Sequence, residues 1–334
     1  MAWYNKTQKS NDIVLSSRVR LARNLEGYPF GGRLSGEQAT EIIDKVGGLL
    51  EASGFEKIDF FAISPTEAGA LYEKHYVSRE FVGKKTPHAL MLNETCGLAV
   101  MLCEEDHVRI QCLMSGLALE EAYKNAVAVD DRLDGELAIA YSDTLGYLTH
   151  CPTNLGTAMR ASVMMFLPAL TMAGRIPALM NRLSKIGLTI RGFYGEGTEA
   201  GGSLYQISNQ ITLGITEEQT LQKLSDAVKQ ITESENELRA LITPEKNPKI
   251  IDRICRAEGI LRHAYLLSSD EFLTYYSDVR LGIALGVLES ITYKDLDSLL
   301  FEVMPCGLAL SEGKADLDER ERDRARARRV KETL

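Results

Sequence analysis

Four short stretches concentrate residue types able to handle a phosphoryl group. EEDHVRIQ (104–111) sets two glutamates, an aspartate, a histidine and an arginine against apolar neighbours. Alternate residues of a strand share a face, so Glu105, His107, Arg109 and Gln111 are expected to point one way, Val108 and Ile110 the other. A carboxylate and a guanidinium beside an apolar strand must be paired or used. A surface ion pair would satisfy that need as well as chemistry would, whereas one histidine among adjacent acids lacks a recognisable metal-ligand pattern. In SSRVRLAR (16–23), Arg18 and Arg20 fall on the polar face of a strand, where like charges repel. An anion such as a polyphosphate between them would relieve the repulsion, since the planar fork of arginine suits phosphate oxygens. A solvated edge strand would show the same pattern.

The third stretch, CPTNLGTAMRASVMM (151–165), reads as a loop entering a helix, with Arg160 near the helix start. Such an entrance offers free N–H groups to anions and would favour a thiolate at Cys151. An inert buried cysteine is the other reading. The fourth, RGFYGEGTEAGGSLYQISNQ (191–210), carries five glycines between Arg191 and Gly202, with Glu196 and Glu199 near the middle of the run. A glycine-rich loop alone says little, and neither GxGxxG nor GxxxxGK[ST] is present. Together the four stretches supply several arginines for phosphate and two separated carboxylates, Glu105 and Glu196. That inventory suits phosphoryl transfer by positioning and electrostatics, in which the protein does little covalent work.

These groups need a scaffold. IVLSSRVRLA, HALMLN, GLAVMLC and VRIQCLM read as strands; EQATEIIDKVGGLLEAS, LEEAYKNAVAVDDRL and the segment after Pro152 read as helices. Strands outnumber regular strand–helix alternations, which favours an α+β fold with an antiparallel or mixed β-sheet flanked by helices. From Glu217 the pattern becomes helical: Leu221, Leu224, Val228, Ile231, Leu238 and Ile242 keep a 3–4 spacing that Glu235 interrupts. TPEKNPK (243–249) is the expected linker. It divides a catalytic domain, 1–245, from an α-helical C-terminal domain, 250–334, that ends in the charged run DLDERERDRARARRVKETL.

The 334 residues are 45% hydrophobic and 25% charged, as in ordinary soluble domains. A net charge of -9 disfavours broad binding to nucleic acid or anionic membrane. The N-terminus has no apolar signal region. Six dispersed cysteines without a CxxC pair fit reduced thiols in a cytoplasmic protein better than a disulfide framework or a zinc site.

SSRVRLARN, EEDHVRIQ, CPTNLGTAMRAS and RGFYGEGTEAGGSLYQISNQ, in that order, resemble the four signature blocks of the phosphagen (guanidino) kinases. ISNQITLG and the C-terminal RDRARA are similar to the bacterial protein-arginine kinase branch, and that resemblance extends over nearly the whole chain. It implies ATP-dependent phosphorylation of arginine side chains in proteins. Arg18, Arg20, Arg109, Arg160 and Arg191 match the phosphate-clamping arginines, and Glu105 and Glu196 match the glutamates that hold the guanidinium and take its proton. Cys151 matches a reactive cysteine that tunes the substrate. Magnesium would ride on the nucleotide, and no metal held by the protein alone is expected. Small-molecule members use histidines near the adenine; here Met164 stands at one such position, and His88 is only a loose counterpart for the other.

The first block begins by residue 13, which leaves no room for the helical N-terminal domain of the small-molecule enzymes. Arg322-Asp323-Arg324-Ala325-Arg326-Ala327 fits the RDxxRA motif, which the branch links to allosteric phosphoarginine binding. Arg322 and Arg326 are four apart and share a helix face, so two forks are expected to grip one phosphate; a charged, solvated helix is the plainer reading. The resemblance further implies a zinc-finger activator protein, a heat-shock transcriptional repressor and an AAA+ Clp protease as partners. It also implies marking of proteins for degradation, and a homodimer or larger assembly. It assigns no role to His107.

Overall fold

The computed structural model describes residues 3–5, 12–192 and 201–334. Its strands in chain order are β1 (Val14–Arg23), β2 (Glu56–Asp59), β3 (Ala89–Asn93), β4 (Leu98–Leu102), β5 (Val108–Ser115), β6 (Tyr141–Ser142), β7 (Gly146–Tyr147), β8 (Met159–Phe166), β9 (Leu188–Gly192) and β10 (Leu204–Asn209). Eight of them form one sheet in the order β2-β3-β4-β5-β1-β8-β10-β9, and β6 pairs with β7 separately. The pairs β1–β5, β2–β3, β3–β4 and β4–β5 are all antiparallel. The helices are α1 (Gly36–Glu51), α2 (Pro65–Glu73), α3 (Arg79–Val82), α4 (Leu119–Asp134), α5 (Pro168–Met172) and α6 (Ile176–Lys185). They continue as α7 (Glu217–Arg239), α8 (Pro248–His263), α9 (Ser269–Ala284), α10 (Tyr293–Glu302), α11 (Pro305–Ser311) and α12 (Glu319–Thr333). An antiparallel sheet with flanking helices and a helical C-terminal region is the expected α+β class. Among the described residues no helix is long and apolar enough to cross a membrane.

The chain groups into two compact units. One comprises residues 1–6, 16–163 and 208–225, the other 7–15, 164–207 and 226–334. In the first, α1 forms because Ser35 and Gln38 close a capping box. Its apolar stripe of Ile42, Ile43, Val46 and Leu50 is buried. On β1, Val19 and Leu21 are buried while Arg18 and Arg20 face the other way. Arg23 reverses parity and shares the face of Val19 and Leu21. Its guanidinium is buried and made tolerable by Asp130 of α4, at 2.6 Å, with the Tyr147 ring 3.4 Å from its carbon.

One expectation fails here. No α-helix begins at Pro152; a single turn, Pro152–Asn154, is followed by β8. MRASVMMF is almost wholly buried on both faces, and such a stretch lacks the two-residue alternation that would distinguish a strand from a buried helix. Arg160 therefore projects from a strand, and the turn at Cys151 is too short to act as a helix N-terminus.

In the second unit, Glu235 explains its interruption of the apolar stripe of α7. It is fully buried, and its two oxygens accept the N–H groups of Ala169 and Leu170, the otherwise unpaired donors at the start of α5. Arg239 then pairs with Glu235 and Asp12, both at 2.8 Å. Residues 243–247 turn between α7 and α8, and Pro248 and Lys249 open α8. Helices α8 and α9 approach closely at Gly282, where a Cβ would lie 2.4 Å from the Ile254 side chain.

Candidate active site

The register of β1 on β5 sets Arg18 opposite Leu113, Arg20 opposite Gln111 and Ala22 opposite Arg109. Directly opposed residues share a face, so Arg18, Arg20, Arg109 and Gln111 form one polar surface in the first unit. Gln111 is buried and donates to the carbonyl of His75 at 2.8 Å. Burial, with Arg160 and Arg109 adding repulsion, pulls Arg18 down to about 10, which leaves it charged at neutral pH. Arg20 is lowered well below the ordinary arginine value by burial and then by Arg18, Arg109 and Arg160, against Glu104. The Nε of Arg18 is buried without a hydrogen-bond partner. An orphaned donor beside the like charges of Arg20, Arg109 and Arg160 is a site that an anion would satisfy.

Glu105 is not on a strand. β4 ends at Leu102 and β5 starts at Val108, and Cys103 turns the chain with φ 59°. Glu105 sits in this connection, half-buried, with its carboxylate 2.8 Å from Arg109 Nη2. Gly31 packs directly on it: a Cβ there would lie 2.3 Å from the Glu105 carbonyl. Glu104, which the sequence patterning passes over, is buried and more heavily bonded. One of its oxygens lies 2.9 Å from Arg109 Nη1 and accepts the Glu105 N–H at 2.7 Å. The other accepts the Ser78 hydroxyl at 2.7 Å. A single buried carboxylate thus fixes both Glu105 and Arg109.

His107 now has a role, and it is architectural. Its Nδ1 accepts from the Leu25 N–H at 3.1 Å, so its Nε2 carries the proton and donates to the Pro29 carbonyl at 2.9 Å. Burial lowers its pKa, which keeps the ring neutral. Asp106 beside it accepts from Asn24 and from the His150 N–H. His88 belongs to the core, against the rings of Phe60 and Phe81. Met164 is buried on β8.

A cleft of about 270 Å³ in the first unit brings Arg20, Glu105, Arg109, Cys151, Asn154 and Arg160 together. Arg160 donates to the Ser208 hydroxyl at 3.2 Å, and Cys151 Sγ lies 3.0 Å from the Thr153 hydroxyl. Among the described residues no three histidine, cysteine, aspartate or glutamate side chains group to hold a metal ion. Arg191 is exposed on β9 in the second unit. Glu196, with Glu199, lies outside the described residues.

The C-terminal motif folds differently from a two-armed grip. Arg326 is 1% exposed. Its Nε donates to the Val303 carbonyl at 3.0 Å, and its Nη1 to the Leu267 carbonyl at 2.7 Å and to Asp323 at 2.8 Å. Arg322 is half-buried and donates to the Leu317 carbonyl. The two share a helix, but Arg326 is turned into the core by these carbonyls, so only Arg322 is presented toward solvent.

Arginines gathered on an antiparallel sheet around a carboxylate define the phosphate-handling part of a phosphotransferase. Comparison with known proteins specifies the acceptor. The family description "ATP:guanido phosphotransferase, C-terminal catalytic domain" matches residues 38–238, and "Protein-arginine kinase McsB C-terminal domain" matches 247–334. The chain is 41% identical to a protein-arginine kinase of Clostridium acetobutylicum, covering 99% of each chain. It is 42% identical to one of Syntrophomonas wolfei, covering 100% of this chain and 95% of that one. Among solved structures, the duplicated taurocyamine kinase of Schistosoma mansoni is similar, with a TM-score of 0.60 and 27% identity over 81% of this chain and 41% of that one. A lombricine kinase shares the fold, with a TM-score of 0.61 and 23% identity over 71% and 70% of the respective chains. The chain belongs to the ATP:guanido phosphotransferase family, in its protein-arginine kinase branch. It is accordingly a kinase that uses ATP.

Proposed function

We propose that this chain transfers the γ-phosphoryl group of ATP to the guanidinium of arginine side chains in proteins. The observation that carries this reading is one cleft holding the Glu105 carboxylate beside Arg20, Arg109 and Arg160. A guanidinium is protonated at neutral pH, with a pKa above about 12, and its lone pair is delocalised. Glu105 orients it and accepts a proton as the P–N bond forms and the bond from γ-phosphorus to the ADP oxygen breaks. Arg18, Arg20, Arg109 and Arg160 offset the charge on the phosphoryl oxygens, and such electrostatic stabilisation dominates catalysis of this kind. By resemblance, Arg191 completes the clamp and Glu196 is the second guanidinium carboxylate. The orphaned Arg18 Nε fits a polyphosphate. Magnesium would ride on the nucleotide phosphates and would supply further charge neutralisation.

The resemblance also supports a cytoplasmic, homodimeric kinase built of a catalytic domain, 1–245, and a helical domain, 250–334. Arg322, Asp323 and Arg326 would form its allosteric phosphoarginine site, with Arg322 the exposed arm. It would mark proteins for a Clp-type protease and inactivate a heat-shock repressor, with a zinc-finger activator as partner. Phosphorus NMR tests the central step. A P–N resonance should grow on an unfolded arginine-rich protein incubated with ATP and magnesium, and far more slowly on free arginine. Preference for free arginine would make this a small-guanidine kinase; phosphoarginine binding without turnover would make it an adaptor.

Glu104 provides an independent check. In Glu104→Gln the amide cannot balance Arg109 or hold the Glu105 N–H as firmly. Transfer should slow by about ten- to a hundredfold, the scale expected when reacting groups shift by a fraction of an ångström to 1 Å. Steady-state rates should show the loss in kcat. An unchanged kcat would mean that Glu104 serves stability alone.

A further inference from the structure

Beside the cleft lies an exposed apolar surface that the phosphate clamp does not use. Leu145, Ile211 and Leu213 are 41%, 48% and 50% exposed, and Tyr141, edge-on to Tyr147, is 55% exposed. The backbones that carry them are bonded to each other and to the cleft wall. The Gly156 N–H donates to the Leu145 carbonyl at 2.8 Å, and the Thr157 N–H to the Thr212 carbonyl at 3.0 Å. The Thr212 hydroxyl reaches the carbonyls of Thr153 and Leu155 at 3.0 and 2.7 Å. Gly156 has φ +98°, and a Cβ there would lie 2.2 Å from the Thr212 carbonyl oxygen and 2.8 Å from Leu213 Cα. Leu145 and Leu213 therefore flank Gly156, which is two residues from Asn154 of the cleft. All these residues belong to the first unit.

Large aliphatic side chains held out on a pinned backbone beside a reaction cleft mark a surface that something covers. Its position narrows the partner. Thr153 and Asn154 line the cleft that holds the Glu105 carboxylate, and the Thr212 hydroxyl, between Ile211 and Leu213, bonds the Thr153 carbonyl. An apolar surface continuous with that cleft suits the apolar residues next to an arginine seated in it. Extended chain advances about 3.3 Å per residue, so residues two to four away from a seated arginine lie roughly 7–13 Å along it.

We infer that Leu145, Ile211 and Leu213 form a docking surface for apolar residues flanking the target arginine in an extended protein segment. The inference rests on the arginine-kinase reading, and its test separates the two. Ile211→Ser/Leu213→Ser removes the exposed methyls without touching the clamp. Two peptides with a single arginine, one flanked by leucines and one by serines, serve as acceptors and, fluorescently labelled, as binding probes without nucleotide. The unmodified chain should favour the leucine peptide by about tenfold in kcat/KM, expressed in KM, as partial burial of one aliphatic side chain would give. The double variant should lose that preference, in both turnover and anisotropy, while keeping kcat on the serine peptide. A preference seen in binding and lost in the variant, with neither peptide phosphorylated, would uphold the docking surface and sink the kinase reading. Equal preference in both chains would overturn the docking surface. So would a variant whose sedimentation changes while its preference stays, since the patch would then face a second copy.

Discussion

Glu105→Gln should abolish arginine phosphorylation for practical purposes, with kcat reduced at least about a hundredfold, the lower range for loss of a positioned general base. The amide keeps the shape and one acceptor oxygen, so the guanidinium can still be seated. It cannot take the proton that the nitrogen must shed as phosphorus is transferred. Glu105 is suited to the task by placement: it lies in the cleft, half-buried, on a connection fixed by Gly31 and Glu104. Its 2.8 Å contact with Arg109 ties base and clamp together. Removing its charge leaves Arg109 with Glu104 alone, so nucleotide affinity should be unchanged or slightly raised. Acid-labile phosphate on a protein acceptor, measured beside nucleotide binding, separates the two effects. Transfer within threefold of the unmodified rate would rule Glu105 out as the base.

Much of this site is legible in residue types, and the exceptions have physical causes. Arg18, Arg20 and Arg109 can be read because strand alternation assigns their faces and like charges demand an anion. Arg23 escapes because its parity places it among apolar side chains, where only Asp130 makes a guanidinium acceptable. The unpaired parity of an arginine within RVRLAR is the one signal the sequence offers for it. Glu105 lines the cleft from a connection and not from the expected strand, since a five-residue connection between strands mimics alternation over its short length. Nothing in an EE doublet tells which carboxylate turns inward, so Glu104 emerges only from the structure. Arg160 looks helical in sequence because a strand buried on both faces loses the two-residue period. In α7, Glu235 looks like a fault in an amphipathic stripe; it caps another helix through contacts 65 and 66 residues away in sequence.

The two arginines of the C-terminal motif should part company when replaced. Arg326→Ala removes a buried guanidinium and leaves the carbonyls of Val303 and Leu267 and the Asp323 carboxylate without their donor. Breaking such an arrangement costs about 3 kcal/mol or more. The loss should fall on α12 and the elements it ties, the turn before α9 and the end of α10. Hydrogen exchange should therefore accelerate in 265–268, 293–303 and 319–333, with the β1–β5 sheet nearly unaffected. Arg322→Ala should leave exchange unchanged, because its half-buried side chain makes one carbonyl contact and a long 3.9 Å approach to Asp316. If the motif also binds phosphoarginine, Arg322→Ala should weaken that binding in a calorimetric titration while the fold stays intact. Weakening by Arg326→Ala alone would then reflect a disordered α12. Unaltered exchange in Arg326→Ala would show that its buried contacts do not hold the helices.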